Sequence, residues 1–83
     1  MEYLAQIQIM PHKELLDPQG KAVTSGLKGL GITSIDHVRV GKFITFSLTA
    51  DSAEQARSMA EKACKELLAN PIMEGFAIQI TAQ

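Results

Sequence analysis

Leu16-Asp17-Pro18-Gln19-Gly20 closes a first apolar run and carries the signals of a helix start. Aspartate caps helices well because its carboxylate accepts from the free N–H groups of the first turn. Pro18 suits the first helical position, where its missing N–H costs nothing and its φ is already helical. The helix opened here runs to Gly31, a residue suited to the left-handed position just past a helix end. Val23, Leu27 and Leu30 recur at i, i+4, i+7, the spacing of a core-facing stripe. Ala22, Gly26 and Gly29 form a second stripe at the same spacing, almost without side chains. A glycine inside a helix costs about 1 kcal/mol relative to alanine. The small stripe therefore reads in two ways: the helix sits close on its own sheet, or another protein surface approaches there.

Outward from this helix the pattern changes period. Tyr3 to Met10 alternates, with Tyr3, Ala5, Ile7 and Ile9 on one face, as a half-buried strand does. Ile35 to Lys42 reads as a second strand, with Val38 and Val40 pointing one way and Ile35, His37 and Arg39 the other. Gly41-Lys42 then makes a two-residue hairpin turn into a third strand, Phe43 to Ala50, whose inward set is Ile44, Phe46 and Leu48. A second helix opens at Asp51-Ser52, where Asp51 with Glu54 or Ser52 with Gln55 would make a capping box. Its apolar face is Ala53, Ala56, Met59, Ala60, Ala63, Cys64, Leu67 and Leu68, and Asn70-Pro71 stops it. Phe76 to Thr81 is the last strand, with Phe76, Ile78 and Ile80 inward.

The order is βαββαβ in one α+β domain spanning residues 1–83. Two right-handed crossovers around a hairpin predict a ferredoxin-like fold: a four-stranded antiparallel sheet with both helices on one face. The other face carries Gln6, Gln8, Thr45, Ser47, Thr49, Gln79 and Thr81 among Leu4, Met10, Phe43 and Ala77. Only His37 and Arg39 bring charge to it in this reading. Interface cores are depleted in charge, so the face suits a protein contact. The plainer reading is a small Thr and Gln surface that tolerates water.

Composition narrows the function. A chain of 83 residues buries only about 60–65% of its unfolded surface and gains from oligomerising. Its one cysteine, Cys64, can form no internal disulfide, and in an apolar helical stripe it reads as a small core residue. A net charge of −1 with mixed signs speaks against nucleic acid. No run is apolar and long enough to span a membrane, and no basic-then-apolar signal opens the chain, which predicts a cytoplasmic protein. No Cys–His or Ser–His set, no paired carboxylates and no Gly-Lys-Ser/Thr loop are present, so an autonomous enzyme is not expected.

Leu16-Asp17-Pro18-Gln19-Gly20, then Val38-Arg39-Val40-Gly41-Lys42, then Leu68-Ala69-Asn70-Pro71 before the last strand resembles the PurS family over the whole chain. That family is the small subunit of phosphoribosylformylglycinamidine synthase. The resemblance implies a part in de novo purine synthesis, within an ATP-dependent ligase that converts formylglycinamide ribonucleotide to the amidine with ammonia from glutamine. It implies two partners, a large synthetase subunit (PurL) that holds the ATP and magnesium chemistry and a glutaminase subunit (PurQ). The small subunit would self-associate as a dimer or tetramer, bridge its partners and help confine ammonia, with no cofactor and no catalytic residue of its own. Asp17, Pro18, Gly20, Arg39, Gly41 and Lys42 lie in the matching segments; with Gly26 and Gly29 of the small stripe they are the expected partner-contact residues. Arg39, read as the permanent charge on a neutral face, is expected to matter for assembly more than for stability. The alternative is an ACT-like regulatory domain binding a small molecule at a dimer interface through free amides at a helix start. A stand-alone acyl-phosphate hydrolase would need an arginine after the first strand, where Pro11, His12 and Lys13 stand instead.

Overall fold

Tyr3, Ala5, Ile7 and Ile9 are all buried, so the strand that carries them is the centre of the sheet. The computed structural model describes residues 1–83. Its elements are β1 (Glu2–Pro11), α1 (Pro18–Gly29), β2 (Lys42–Thr49), α2 (Ala53–Ala63) with a π-helical turn at Cys64–Leu68, and β3 (Glu74–Ala82). The sheet order is β2-β1-β3, antiparallel throughout. The register stacks apolar rows across it: Ile7 faces Ile44 on one side and Ile78 on the other, and Ala5 faces Phe46 and Ile80. α2 lies over β1 and β3, and its Ala56 and Ala60, with Cys64 just beyond, are fully buried. These small side chains let the helix approach the sheet closely.

α2 is capped by the second of the two expected pairs. Ser52 Oγ accepts from the Gln55 N–H at 3.1 Å, while Gln55 Oε1 accepts from the N–H of Asp51, one residue earlier than in a standard capping box. Its far end departs from the sequence reading. The Ala69 N–H donates to the Cys64 carbonyl at 2.9 Å, a bond five residues back. The wider turn rotates the last residues, leaving Leu67 83% exposed while Ala69 is buried. Leu67 therefore does not belong to the core stripe.

The larger correction is the sheet itself, which has three strands, not four. Ile35–Lys42 does not form the expected second strand. His37 takes a left-handed φ of 55°, with its N–H donating to Asp36 Oδ1 at 2.8 Å, and this breaks the alternation. Gly41-Lys42 is not a hairpin turn either, because Lys42 already opens β2 opposite Ile9.

α1 is not a second cover on the sheet. It packs against no strand to any extent, and Val23 and Leu30 of its apolar stripe are 43% and 77% exposed. Its C-terminus is a complete Schellman motif: Ile32 N–H to Leu27 O and Gly31 N–H to Lys28 O, both 3.0 Å, with Gly31 at φ 86°. The radius of gyration is 16.3 Å. A compact domain of this length would have about 12 Å. α1 and its flanks thus form an arm that projects from the sheet.

Candidate functional site

The arm leaves the sheet after β1 and returns to it at β2, and its two stems are tied together by Asp17 and Arg39. Asp17 caps α1 as its place before Pro18 requires, Oδ1 accepting from the Gly20 N–H at 2.9 Å. Its other oxygen accepts from the Val40 N–H at 2.9 Å and lies 3.6 Å from Arg39 Nε. These contacts hold the carboxyl below its ordinary value: the Gly20 N–H contributes most, then Val40, with the Arg39 charge adding and partial burial opposing. Arg39 turns its fork onto the loop after β1. Nη2 donates to the carbonyls of Pro11 and His12 at 3.0 and 2.8 Å, and Nη1 to that of Lys13 at 3.3 Å. A planar guanidinium can serve three carbonyls and a carboxylate together; an ammonium could not. Arg39 is therefore part of an internal latch, not a charge standing on the open sheet face.

Two glycines make the latch possible. A Cβ on Gly20 would run into the Val38 carbonyl oxygen and come within 3.0 Å of Asp17 Oδ2. One on Gly41 would strike Met10 Sδ and the Ile9 carbonyl oxygen. Lys42, beside them, forms an ion pair with Glu74 at 3.6 Å across the sheet end and stays largely exposed. The structure thus gathers Asp17, Pro18, Gly20, Arg39, Gly41 and Lys42 at one end of the molecule. Gly26 and Gly29 stand apart, further along α1, with open space where a Cβ would be. Sequence reasoning missed Val40 N–H, the carbonyls of Pro11 to Lys13, and Glu74. Backbone groups leave no trace in a sequence, and Glu74 meets Lys42 only through the β1 register.

The second feature is the sheet face away from α2. Rows cross it in register: Phe43, Gln8, Ala77; Thr45, Gln6, Gln79; Ser47, Leu4, Thr81. None of these residues is charged, Phe43 is 59% exposed, and neither His37 nor Arg39 lies on a strand. Glu2 continues this face opposite Thr49, whose Oγ1 donates to Glu2 Oε1 at 2.7 Å, so the face is largely neutral, with one carboxylate at its end, and able to exchange hydrogen bonds with another protein.

Cys64 is buried, and burial, with a smaller effect of Glu61, pushes its thiol up, away from the reactive thiolate. No three His, Cys, Asp or Glu groups come together as metal ligands. The start of α1, where a phosphate or carboxylate would seek free amides, already holds the Asp17 carboxylate on the Gly20 N–H. No helix is long and apolar enough to cross a membrane.

Comparison with known proteins matches residues 4–82 to the family model described as PurS: Phosphoribosylformylglycinamidine (FGAM) synthase. The PurS subunit of Synechocystis is 38% identical over 80 residues, covering 96% of this chain and 80% of that protein. The PurS subunit of Mycobacterium leprae is 38% identical over 79 residues, covering 95% and 96% of the two chains. Among solved structures, PurS of Thermus thermophilus is 39% identical with a TM-score of 0.83, covering 100% of this chain and 99% of that one. A structure of PurLQS from Thermotoga maritima contains a chain that matches with a TM-score of 0.89 at 26% identity, covering 98% and 99%.

Proposed function

The chain belongs to the PurS family, and from that premise we propose that it serves phosphoribosylformylglycinamidine synthase as a small accessory subunit joining the synthetase and glutaminase chains. The observation that carries this reading is the match over residues 4–82, together with the likeness to a chain of the Thermotoga maritima PurLQS structure. The subunit contributes no reacting group. Its role is to hold two active sites in one assembly, so that ammonia from glutamine reaches formylglycinamide ribonucleotide without escaping or taking a proton from water. ATP and magnesium belong to the large subunit in this reading. The setting is the cytoplasm, and the chain works as a self-associated unit, a dimer or tetramer.

The largely neutral sheet face supports a partner contact, as does the open stripe of Gly26 and Gly29. Asp17, Pro18, Gly20, Arg39 and Gly41 act through the shape they impose, presenting α1 and Lys42 to the assembly. The test is reconstitution of glutamine-dependent amidine formation from the large and glutaminase chains with and without this one. Product should depend on it when glutamine is the nitrogen source and much less when ammonium is supplied in excess. Equal rates from glutamine with and without the chain would refute the bridging role.

A further inference from the structure

β3 is an outer strand of the sheet, paired with β1 on one side only. The bonds at its two ends fix which backbone groups face outward. The His12 N–H donates to the Met73 carbonyl and the Gln83 N–H to the Glu2 carbonyl, both at 2.9 Å. In an antiparallel pair, bonded and non-bonded positions alternate, and the register runs without a break from Tyr3 opposite Ala82 to Pro11 opposite Glu74. Ala77, Gln79 and Thr81 therefore turn their N–H and C=O groups to β1, and Phe76, Ile78, Ile80 and Ala82 turn theirs away from the sheet. The Ile78 carbonyl accordingly accepts from Arg57 Nη1 of α2 at 3.1 Å. Exposed edges are ordinarily blunted by short length, a bulge, proline or lysine. β3 has nine residues, no bulge, no proline, and no charged residue after Glu74. Its Phe76, Ile78 and Ile80 side chains, on the α2 side, are only half-buried. The chain's ion pairs join Arg39 to Asp17 and Lys42 to Glu74, so Arg57 stands at this edge without an acid partner.

We propose that the β3 edge takes up an extended segment of a partner subunit, added as a further strand. Main-chain bonds to the outward groups of Phe76, Ile78, Ile80 and Ala82 supply the attachment, and alternate side chains supply the selection. On the α2 side the segment carries apolar residues, which complete the cover of Phe76, Ile78 and Ile80, and one carboxylate, which pairs with Arg57. On the opposite side it carries neutral polar residues that continue the rows ending at Gln79 and Thr81. Arg57 marks the occupant as a chain other than this one. Two copies of β3 paired about Ile78 would bring two Arg57 guanidiniums to the same place. Neither strand would offer them an acid, because Glu74 is already engaged by Lys42 and by the Asn70 N–H. Like charges set together across an interface select against that pairing. The proposal rests on the joining role given above and adds the surface by which one of the contacts is made.

Amide hydrogen exchange of the ¹⁵N-labelled full chain tests this residue by residue. In the chain alone the amides of Phe76, Ile78, Ile80 and Ala82 should exchange fast and those of Ala77, Gln79 and Thr81 slowly. Exchange is then run with the unlabelled large chain or the unlabelled glutaminase chain, quenched, and read on the dissociated labelled chain. With one of the two, the four outward amides should slow by about tenfold or more. Ala82→Pro removes an outward N–H and no bond to β1, and Arg57→Glu reverses an exposed charge. Both variants should keep the parent's circular dichroism, and each should raise the dissociation constant for that partner about tenfold or more. Outward amides that stay fast in a complex that forms, or binding indifferent to both variants, overturn the strand addition and leave the joining role standing. Outward amides already slow in the chain alone, and slower as its concentration rises, give the edge to a second copy and overturn the proposal. Absence of a complex with either chain overturns the strand addition and the joining role together.

Discussion

Replacing Gly20 by alanine sets two opposed effects against each other. Glycine in a helix costs up to about 1 kcal/mol relative to alanine, less in the first turn, where Gly20 lies, than in the middle. Helix propensity alone therefore predicts a more stable protein. The added methyl, however, would overlap the Val38 carbonyl oxygen and press on Asp17 Oδ2 at 3.0 Å. The first of these is backbone held by the latch, so it cannot rotate away as a side-chain tip would. Overpacking a rigid site costs about 1–3 kcal/mol, and deep overlap with backbone belongs at the upper end. The net expectation is a loss of about 2 kcal/mol, which lowers the melting temperature of a domain this size by roughly 8–16 °C. Gly75→Ala is the control, since its methyl would meet only the His12 ring at 3.6 Å, an ordinary contact. It should be neutral or stabilising by about 0.5–1 kcal/mol. Thermal unfolding followed by circular dichroism, at one fixed protein concentration, compares the three chains. If Gly20→Ala melts with or above the parent, the close approach of α1 to Val38 is wrong, and with it the rigid base of the arm.

Two further outcomes follow from the latch. Arg39→Ala should lower stability to chemical denaturation by about 1–3 kcal/mol, and Arg39→Lys should recover little, because an ammonium cannot reach three carbonyls and a carboxylate together; a lysine variant equal to the parent would reduce Arg39 to a surface charge. The Asp17 carboxyl sits below its ordinary 3.8 in the folded chain, so its contribution is present above that value and lost as the pH falls through the lower folded one. Asp17→Asn should therefore flatten the acid side of a stability-versus-pH curve below pH 3.8, leaving the part due to Asp36, whose carboxyl the His37 N–H also holds low. An unchanged acid limb would show that the latch carboxylate is not held as described.

The sequence by itself determined the local grammar of this protein and its family. Asp17 before Pro18 starts α1, Gly31 ends it, Ser52 with Gln55 starts α2, and the alternation of Tyr3 to Ile9 marks the strand that becomes the sheet's centre. Each of these signals lies within a few residues of its effect, where a cap or a two-residue period leaves little choice. The motif segments around Asp17, Arg39 and Gly41 were legible as special, but the nature of their task was not. Tertiary structure decided that Ile35 to Val40 would not pair as a strand. His37 adopts a left-handed turn there, Val40 gives its N–H to a carboxylate 23 residues away, and Arg39 reaches back to carbonyls 26 to 28 residues away. It likewise decided that Val23 and Leu30, patterned for a core, would face away from the chain's own sheet. An apolar stripe states that a surface must be covered, because burial is favourable wherever it occurs. It does not state by what, since the hydrophobic effect has no direction; that choice belongs to contacts between residues far apart in the chain.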